Sequence, residues 1–508
     1  GYDPSINKAY PWLLSEDVYR LADKYGIVIL QPHGRKNTDF IGIGEQDVLI
    51  ALKKTLRYYA IDKRRVYLLG VSMGGYGAYA IGLHHPHYFA AIAVVAARRY
   101  HFLWGEVDRT PLPPPRAQVL KAENPWMLAE NATNLPILII HGENDTLVPV
   151  ANAFLMARRL SKLGCPVRLN ILRNESHWIY FNSSLFRKIF DWFRNKSNSP
   201  FPKHVVYRTY TTAYNRCYWL KIDEIAQWGK PANIRASALA NGTVYVNTQN
   251  VARLTIELNP RLIAPKRQAR LILNGVRVWE GELTEPLPLT RFIGAHTANR
   301  TDGDDEKLKL AKTQELCGPV WHAYTGPFLI VHGTLGTEAM RLANYNKARQ
   351  LALEWVDFSD GLAHIKADRD VTEEDLARYH IIAVGGPQEN SIVKRAVHSL
   401  PIKFAPKGYT IGAHTLRGKQ LGLVCIYPNP LNPRRYLVIY DGVLWGRALP
   451  INHKFDTSPD FAIFTSEQDA DGANVLLCAG FFDSHWQVDE RLIWCVQEQC
   501  PAGFQVNN

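Results

Sequence analysis

Three residues in this chain have the type and order of a nucleophile, an acid and a base. Ser72 sits in Gly70-Val71-Ser72-Met73-Gly74, between an apolar run ending at Leu69 and a small-residue stretch, Gly75-Tyr76-Gly77-Ala78-Tyr79-Ala80. A serine in a G-x-S-x-G turn from strand to helix is held at a strained tip, its hydroxyl exposed above the sheet edge. That presentation suits a nucleophile; the alternative is a tight structural turn. A side chain at Gly70 or Gly74 is expected to crowd the neighbouring strand or helix. A nucleophilic serine needs a base and an orienting acid. After the apolar run Leu135 to Ile140 comes His141-Gly142-Glu143-Asn144-Asp145-Thr146-Leu147-Val148-Pro149. After the next run comes Asn174-Glu175-Ser176-His177-Trp178. A carboxylate and then a histidine therefore each follow a strand, at the sheet edge where open α/β sheets build their sites. The plainer reading of His177 is a surface loop histidine.

The elements that must position these residues alternate between helix and strand. Glu16 to Tyr25 reads as an amphipathic helix, Ile27 to Leu30 as a strand, and Asp47 to Tyr59 as a helix. The strand Val66 to Leu69 leads into the Ser72 turn. Ala90 to Ala96 and Leu135 to Ile140 read as further strands, then Val150 to Leu163 as a helix, Val167 to Leu172 as a strand and Leu185 to Asn195 as a closing helix. This βα alternation predicts a parallel sheet with helices on both faces. Arg98 to Trp126, with Pro111, Pro113, Pro114 and Pro115, reads as an irregular insertion suited to a lid or pocket wall.

The segments GVSMGGYGAYA, HGENDTLVPV and NESHW, with GIGEQDVLIALKKTLRYYAIDKRRVYLLG upstream, resemble the α/β-hydrolase fold. More narrowly they are similar to the prolyl-oligopeptidase-like esterases and peptidases and to their feruloyl-esterase and polyhydroxybutyrate-depolymerase relatives. The resemblance covers about residues 1–195. It implies Ser72 as nucleophile, His177 as general base and then acid, and Asp145 as the residue orienting His177, with Glu143 the rival acid. It also implies the Met73 backbone N–H as one oxyanion donor. The second donor usually comes from a His-Gly-type loop after an earlier strand. Here Asp3 to Pro11 runs directly into Trp12-Leu13-Leu14-Ser15, so the strand and loop that the family places between them are absent and the second donor is unknown. A deletion, residues missing from the sequence, or another donor would account for this. A missing segment is the preferred reading, and it leaves an incomplete sheet edge. His33-Gly34 follows the next strand and so stands in the wrong place.

Beyond Asn195 to Pro202, read as a linker, the pattern changes to short β-type runs: Val205 to Thr212, Thr243 to Asn247, Val251 to Leu258 and Ala269 to Leu273. Asn274-Gly275 is a two-residue hairpin signal. Ala298 to Lys309 reads as an exposed loop. Alternation then returns with Phe328 to Val331, a helix from Glu338 to Trp355, His380 to Val384, Leu421 to Ile426 and Arg435 to Tyr440. The expected architecture is an α/β-hydrolase domain over 1–197, a small β-sandwich-like module over 203–297 and a smaller three-layer α/β domain over 318–508.

Composition narrows the chemistry further. The 508 residues carry a net charge of +12, but the basic residues are scattered, which reads as a solvated surface without nucleic-acid binding. An acidic polysaccharide or anionic surface is the alternative. Seven cysteines are too few for a disulfide scaffold, although Cys495 and Cys500 are close enough in sequence to pair. No Cys-x-x-Cys pattern with partner histidines suggests structural zinc, and no apolar run approaches the roughly 18 residues of a membrane span. No signal peptide precedes Gly1, so the sequence reads as a mature secreted or periplasmic form, as cytoplasmic, or as cut from a longer chain. His84-His85-Pro86-His87 resembles a metal cluster, yet adjacent histidines around a proline share no helix face, so it reads as structural. Val331-His332-Gly333-Thr334-Leu335-Gly336-Thr337 matches neither nucleotide-binding glycine pattern. The C-terminal aromatics, among them Trp321, Tyr324, Trp355, Trp445 and Trp486, could line a polymer surface or simply a core. The sequons at Asn131, Asn241 and Asn299 matter only in a eukaryotic secretory setting.

The expected function is therefore a serine esterase without metal or cofactor, acting on a small-molecule or polymer-linked ester through an acyl-enzyme. Ester substrates are favoured because no β-propeller restricts peptide access. A prolyl-oligopeptidase-type peptidase and a catalytically degenerate binding protein are the alternatives. The oligomeric state is left open.

Overall fold

A four-stranded parallel sheet carries the three loops of interest. The computed structural model describes residues 14–36, 38–100, 112–181, 183–263, 268–293, 310–449, 451, 454–455, 458–470, 472–496 and 505–507. The expectations for residues 3–11, for 101–111 of the insertion, for the loop 298–309, for the Asn299 sequon and for Cys500 lie outside them. The chain divides into two compact units, Gly1–Pro111, Lys121–Ala226 and Lys230–Asn299 in one, and Leu112–Leu120, Gln227–Gly229 and Arg300–Asn508 in the other.

The first unit opens with helices α1 (Glu16–Tyr25) and α2 (Ile43–Tyr58), followed by β1 (Tyr67–Val71), α3 (Met73–His84) and β2 (Ala91–Val95). After α4 (Pro114–Glu123), whose residues as far as Leu120 belong to the second unit, come β3 (Ile137–Gly142), α5 (Ala151–Lys162), β4 (Val167–Leu172) and α6 (Ser183–Phe193). The strands pair in parallel in the order β1-β2-β3-β4. Their alternation sends Ile92, Val94, Ile137 and Ile139 into a core with Val48 and Leu49 of α2, Ala78 and Ile81 of α3 and Met156 and Leu160 of α5. Ala91, Ala93, Val95, Leu138 and Ile140 point the other way, against Val18 and Leu21 of α1 and Leu185, Ile189 and Phe193 of α6. Strands covered on both faces read as continuous apolar runs, which is why they were legible in the sequence.

Two expectations about helices and strands of the first part of the chain fail. Residues 27–30 form no strand: Ile27 and Ile29 pack on the inner core, but no described strand lies alongside to pair with them, and Val28 is 55% exposed. The irregular reading of Arg98 to Trp126 misses α4, whose Pro114 and Pro115 sit in the first turn, where a helix needs no N–H from them.

Nine strands follow among the described residues of the same unit: β5 (His204–Thr209), β6 (Arg216–Cys217), β7 (Leu220–Ile225), β8 (Ala232–Ala238), β9 (Thr243–Gln249), β10 (Val251–Leu258), β11 (Gln268–Leu273), β12 (Val276–Glu282) and β13 (Leu287–Phe292). They form one sheet in the order β13-β10-β7-β6 and another in the order β12-β11-β9-β8-β5. Asn274 and Gly275 make the two-residue turn between β11 and β12, both with positive φ (49° and 84°), as a type I′ hairpin requires.

The second unit holds a mixed eight-stranded sheet. In its parallel part β14 (Phe328–His332), β15 (His364–Ala367) and β16 (His380–Val384) are joined through helices α7 (Glu338–Ser359) and α8 (Glu373–Arg378), and residues 381–384 of β16 pair in parallel with residues 437–440 as well. After α9 (Ser391–Ala396) come β17 (Ile402–Ala405), β18 (Gly408–Ile411) and β19 (His414–Arg417), which form a small sheet with the last strand, β25 (Gln505–Asn507). Between them β20 (Gly422–Asn429), β21 (Asn432–Gly442), β22 (Phe461–Gln468), β23 (Asn474–Phe482) and β24 (Val488–Cys495) extend the large sheet to the order β15-β14-β16-β21-β20-β22-β23-β24. Cys495 is bonded to Cys478 and not to Cys500, because the two face each other across the β23–β24 ladder with Cα atoms 4.1 Å apart.

Candidate active site

Ser72 is the single residue between β1 and α3, and it turns the chain with φ 54° and ψ −117°. Its N–H donates to Val95 O (2.9 Å), tying the turn to β2, and its carbonyl accepts from Gly75 N and Tyr76 N to start α3. A Cβ on Gly70 would lie 1.8 Å from Gly74 O, so only glycine lets strand and helix meet this closely. The matching expectation for Gly74 is not met: its Cβ would meet only Phe40, at an ordinary 3.8 Å.

The acid and the base come from the loops after β3 and β4. Gly142 ends β3 within reach of the second loop, where a Cβ would stand 2.3 Å from Ser176 O. Asn144 N donates to Glu175 O (2.9 Å), so the two loops are laced together. This brings His177 Nδ1 to 2.7 Å from Asp145 Oδ2 and His177 Nε2 to 2.9 Å from Ser72 Oγ. Both Asp145 and His177 are buried, while Glu143 is exposed and accepts instead from Asn174 N (3.2 Å). Asp145 Oδ1 accepts from Leu147 N (3.0 Å) and Val148 N (2.8 Å), which fixes the carboxylate against its own turn. Burial pushes the Asp145 carboxyl up, but hydrogen bonds from His141, His177 and Val148 outweigh it and hold the group well below the usual carboxylate range. The ordering of a serine hydroxyl, an imidazole and an ionised carboxylate in one line permits proton transfer from Oγ to Nε2 with the charge stabilised at Nδ1.

Met73 opens α3, so its N–H is among the four that a helix leaves without an intrahelical acceptor. Behind it, Phe40, from the loop that also holds His33 and Gly34, packs over Gly74 and Gly77. Beside His177 in the chain Trp178 is half exposed, and Tyr180 has its ring centroid 6.3 Å from that of His177. Sequence reasoning quoted His141 without giving it a role. It is fully buried, and its Nε2 lies 2.8 Å from Val148 O and 3.1 Å from Asp145 Oδ2.

A second histidine–carboxylate group lies in the same unit. His84, the last residue of α3, is 1% exposed; its Nδ1 faces both Glu45 oxygens (3.0 and 3.2 Å) and its Nε2 faces Ala122 O (3.0 Å). His85 Nε2 approaches Glu45 Oε1 to 2.8 Å. The Tyr214 ring stacks on His84 with centroids 3.5 Å apart, and its hydroxyl donates to Glu123 (3.1 Å). Glu45, His84 and Glu123 each bring a potential ligand atom within 4.8 Å of the others. Both ring nitrogens of His84 nevertheless face acceptors, so both carry hydrogens and neither offers a lone pair to a metal. Burial pushes the His84 imidazole down; the carboxylates of Glu45 and Glu123 push it up more strongly, to about 9. Burial likewise raises Glu45, and His84 and His85 bring it down to about 2. The group is a buried ion pair.

Residues 43–200 match the prolyl oligopeptidase family. The chain is 24% identical over 199 residues to the uncharacterized peptidase YtmA of Bacillus subtilis, covering 34% of this chain and 73% of that protein. It is 26% identical over 206 residues to dipeptidyl-peptidase 5 of Porphyromonas gingivalis, covering 34% of this chain and only 29% of that protein. Among solved structures, a thermostable esterase aligns with 23% identity and a TM-score of 0.22, over 30% of this chain and 37% of that one. The part of the chain that carries Ser72, Asp145 and His177 is a prolyl-oligopeptidase-like serine hydrolase domain of α/β-hydrolase fold.

Proposed function

We propose that the protein hydrolyses carboxylic esters through an acyl-enzyme, with Ser72 as nucleophile, His177 as general base and then acid, and Asp145 orienting His177. The observation that carries this reading is the continuous hydrogen-bonded line from Ser72 Oγ through the His177 ring to Asp145 Oδ2. As Oγ attacks the ester carbonyl, His177 Nε2 takes its proton and Asp145 stabilises the imidazolium. The oxyanion forms against the Met73 N–H. His177 then returns the proton to the departing alcohol, and water repeats the sequence on the acyl-enzyme. Met73 is the one oxyanion donor assigned to this chain, and an ester carbonyl demands less transition-state stabilisation than an amide. The substrate is a small-molecule or polymer-linked ester.

Peptide hydrolysis by the same three residues is the second reading, favoured by the names of the two curated relatives. Rates on p-nitrophenyl acetate and on alanine p-nitroanilide separate the two. The ester reading expects the acetate to be turned over faster, covalent labelling of Ser72 by a fluorophosphonate, and a fall in kcat of about 10⁴-fold or more for Ser72→Ala. Faster anilide turnover moves the assignment to a peptidase, and absence of labelling moves it to a binding protein.

The two sheets over 203–293 are read as a β-sandwich-like module, and the second unit as a three-layer α/β domain. The Cys478–Cys495 disulfide supports a secreted or periplasmic location, where such bonds persist. No helix among the described residues is long and apolar enough to cross a membrane.

A further inference from the structure

We propose that His141 is a positioning residue for Asp145, holding through its Nε2–H both the carboxylate oxygen that faces His177 and the turn that carries it. The proposal rests on the reading of Ser72, His177 and Asp145 as the catalytic residues. His141 is the penultimate residue of β3, in register with Ile171 of β4 and completely buried. Its Nε2 has two neighbours, Val148 O at 2.8 Å and Asp145 Oδ2 at 3.1 Å, and both accept, so Nε2 carries a hydrogen shared between them. Its other nitrogen, Nδ1, has no hydrogen-bond partner among the described residues.

A buried imidazole with one unsatisfied nitrogen is a poor choice for packing alone. An aliphatic side chain would fill the end of β3 without that penalty, so the polar function of His141 resides in Nε2. That one hydrogen closes a ring of contacts. Val148 N donates to Asp145 Oδ1, Val148 O accepts from His141, and His141 reaches Asp145 Oδ2. Asp145 Oδ2 is thereby shared between His177 and His141, at 2.7 and 3.1 Å, while Oδ1 is held by Leu147 N and Val148 N. With both oxygens held, the carboxylate cannot rotate away from His177. Its charge is also shared between the two imidazoles. The ionisable groups facing Asp145 are His141 and His177, with the Tyr180 hydroxyl near enough to feel its charge.

The test compares His141→Leu, which keeps bulk and removes the donor, with His141→Gln, whose side-chain amide can donate from about the Nε2 position. The substrate is p-nitrophenyl acetate, and Ser72 labelling by a fluorophosphonate is followed alongside. Wild-type protein is expected to label. H141L is expected to lose about 10- to 100-fold in kcat at unchanged KM, with the acid limb of its kcat/KM profile moved to higher pH because Asp145 no longer shares its charge. H141Q is expected to recover most of the rate and the wild-type limb. A purely structural role would lower the melting temperature of both variants and leave the acid limb in place. Wild-type kcat and limb in H141L, or equal impairment in H141L and H141Q, overturns the proposal while leaving the serine-hydrolase reading intact. Failure of wild-type protein to label overturns both. Should H141L not fold, the tautomer of His141 in wild-type protein decides by ¹⁵N NMR: a hydrogen on Nε2 supports the proposal, and one on Nδ1 alone overturns it.

Discussion

His177 with Asp145 and His84 with Glu45 are two buried imidazole–carboxylate pairs in one domain, with nitrogen–oxygen distances of 2.7 and 3.0 Å. What separates them is the atom that the far ring nitrogen meets. His177 Nε2 meets a hydroxyl, which can give up a hydrogen, so the ring can take the proton. His84 Nε2 meets the Ala122 carbonyl, which only accepts, and the ring is held protonated with Tyr214 stacked over its face. Burial and a carboxylate partner are thus common to an acid–base site and to a static ion pair. Reversible proton exchange needs a partner of both characters at the second nitrogen.

The largest expected effect breaks the first pair. Asp145→Asn offers His177 an amide in place of a carboxylate and removes the charge that stabilises the imidazolium, so kcat is expected to fall about 10⁴-fold. Steady-state kinetics on the ester check this, with circular dichroism to show that the fold persists. The corresponding change in the second pair, Glu45→Gln, removes the nearer counter-charge of the buried His84 imidazolium and leaves it only Glu123, 3.9 Å from its Nε2. Breaking such a pair costs about 3–5 kcal/mol, read as a lower urea midpoint. Turnover per folded molecule is expected to stay within about twofold of wild type, since Glu45 is not in the line that reaches Ser72. A large loss of kcat in folded E45Q would join the two pairs functionally and erase the distinction.

A smaller and reversible perturbation is pH. His84 has its folded pKa raised to about 9 from 6.5, so its contribution is complete below pH 6.5 and is lost as pH rises through 9. Glu45 is shifted the other way, to about 2 from 4.5, so its contribution is complete above pH 4.5 and is lost as pH falls towards 2. The melting temperature is therefore expected to decline between pH 6.5 and 9, and E45Q is expected to flatten that decline. An unchanged slope in E45Q would show that His84 is not the titrating group.

How far the sequence carries depends on how local each signal is. Ser72 and the loop of Asp145 are legible because each follows an apolar run packed on both faces, and the His177 loop because it follows β4, whose Val167, Leu169 and Ile171 alternate with Arg168 and Asn170. Asp145 and Glu143 lie two residues apart and share their chemistry; only the lacing of Asn144 to Glu175 decides which carboxylate turns inward. The Glu45–His84 pair spans 39 residues, and Tyr214 arrives from a different sheet system, so no window along the chain contains the group. Adjacency in sequence carries no information on the group, because the partner of the His84 Nδ1 is Glu45. Cys478–Cys495 was hidden for the same reason, since its register belongs to the β23–β24 ladder. The strand expected at 27–30 failed in the opposite way. Its local pattern is right, and the partner that would make it a strand is not among the described residues.

The smallest expected effect isolates what Tyr214 adds to the second pair. Its ring lies parallel to His84, an interplanar angle of 10°, while its hydroxyl donates to Glu123. Tyr214→Phe keeps the stack and removes the donor, so the ion pair loses one hydrogen bond to a charged group, worth about 1.5–3 kcal/mol. Tyr214→Leu removes the aromatic face as well, and the further loss on going from Phe to Leu measures what the ring contributes over the imidazolium, about 1–2 kcal/mol. Urea midpoints of the two variants, each with and without E45Q, make a cycle. If the ring acts on the charge of His84, the Phe-to-Leu difference shrinks once Glu45 is neutralised and His84 loses its proton more readily. If the ring only fills space, that difference is the same in both backgrounds. Neither variant is expected to move kcat, because the ring that Tyr214 covers is the one that never has to release its proton.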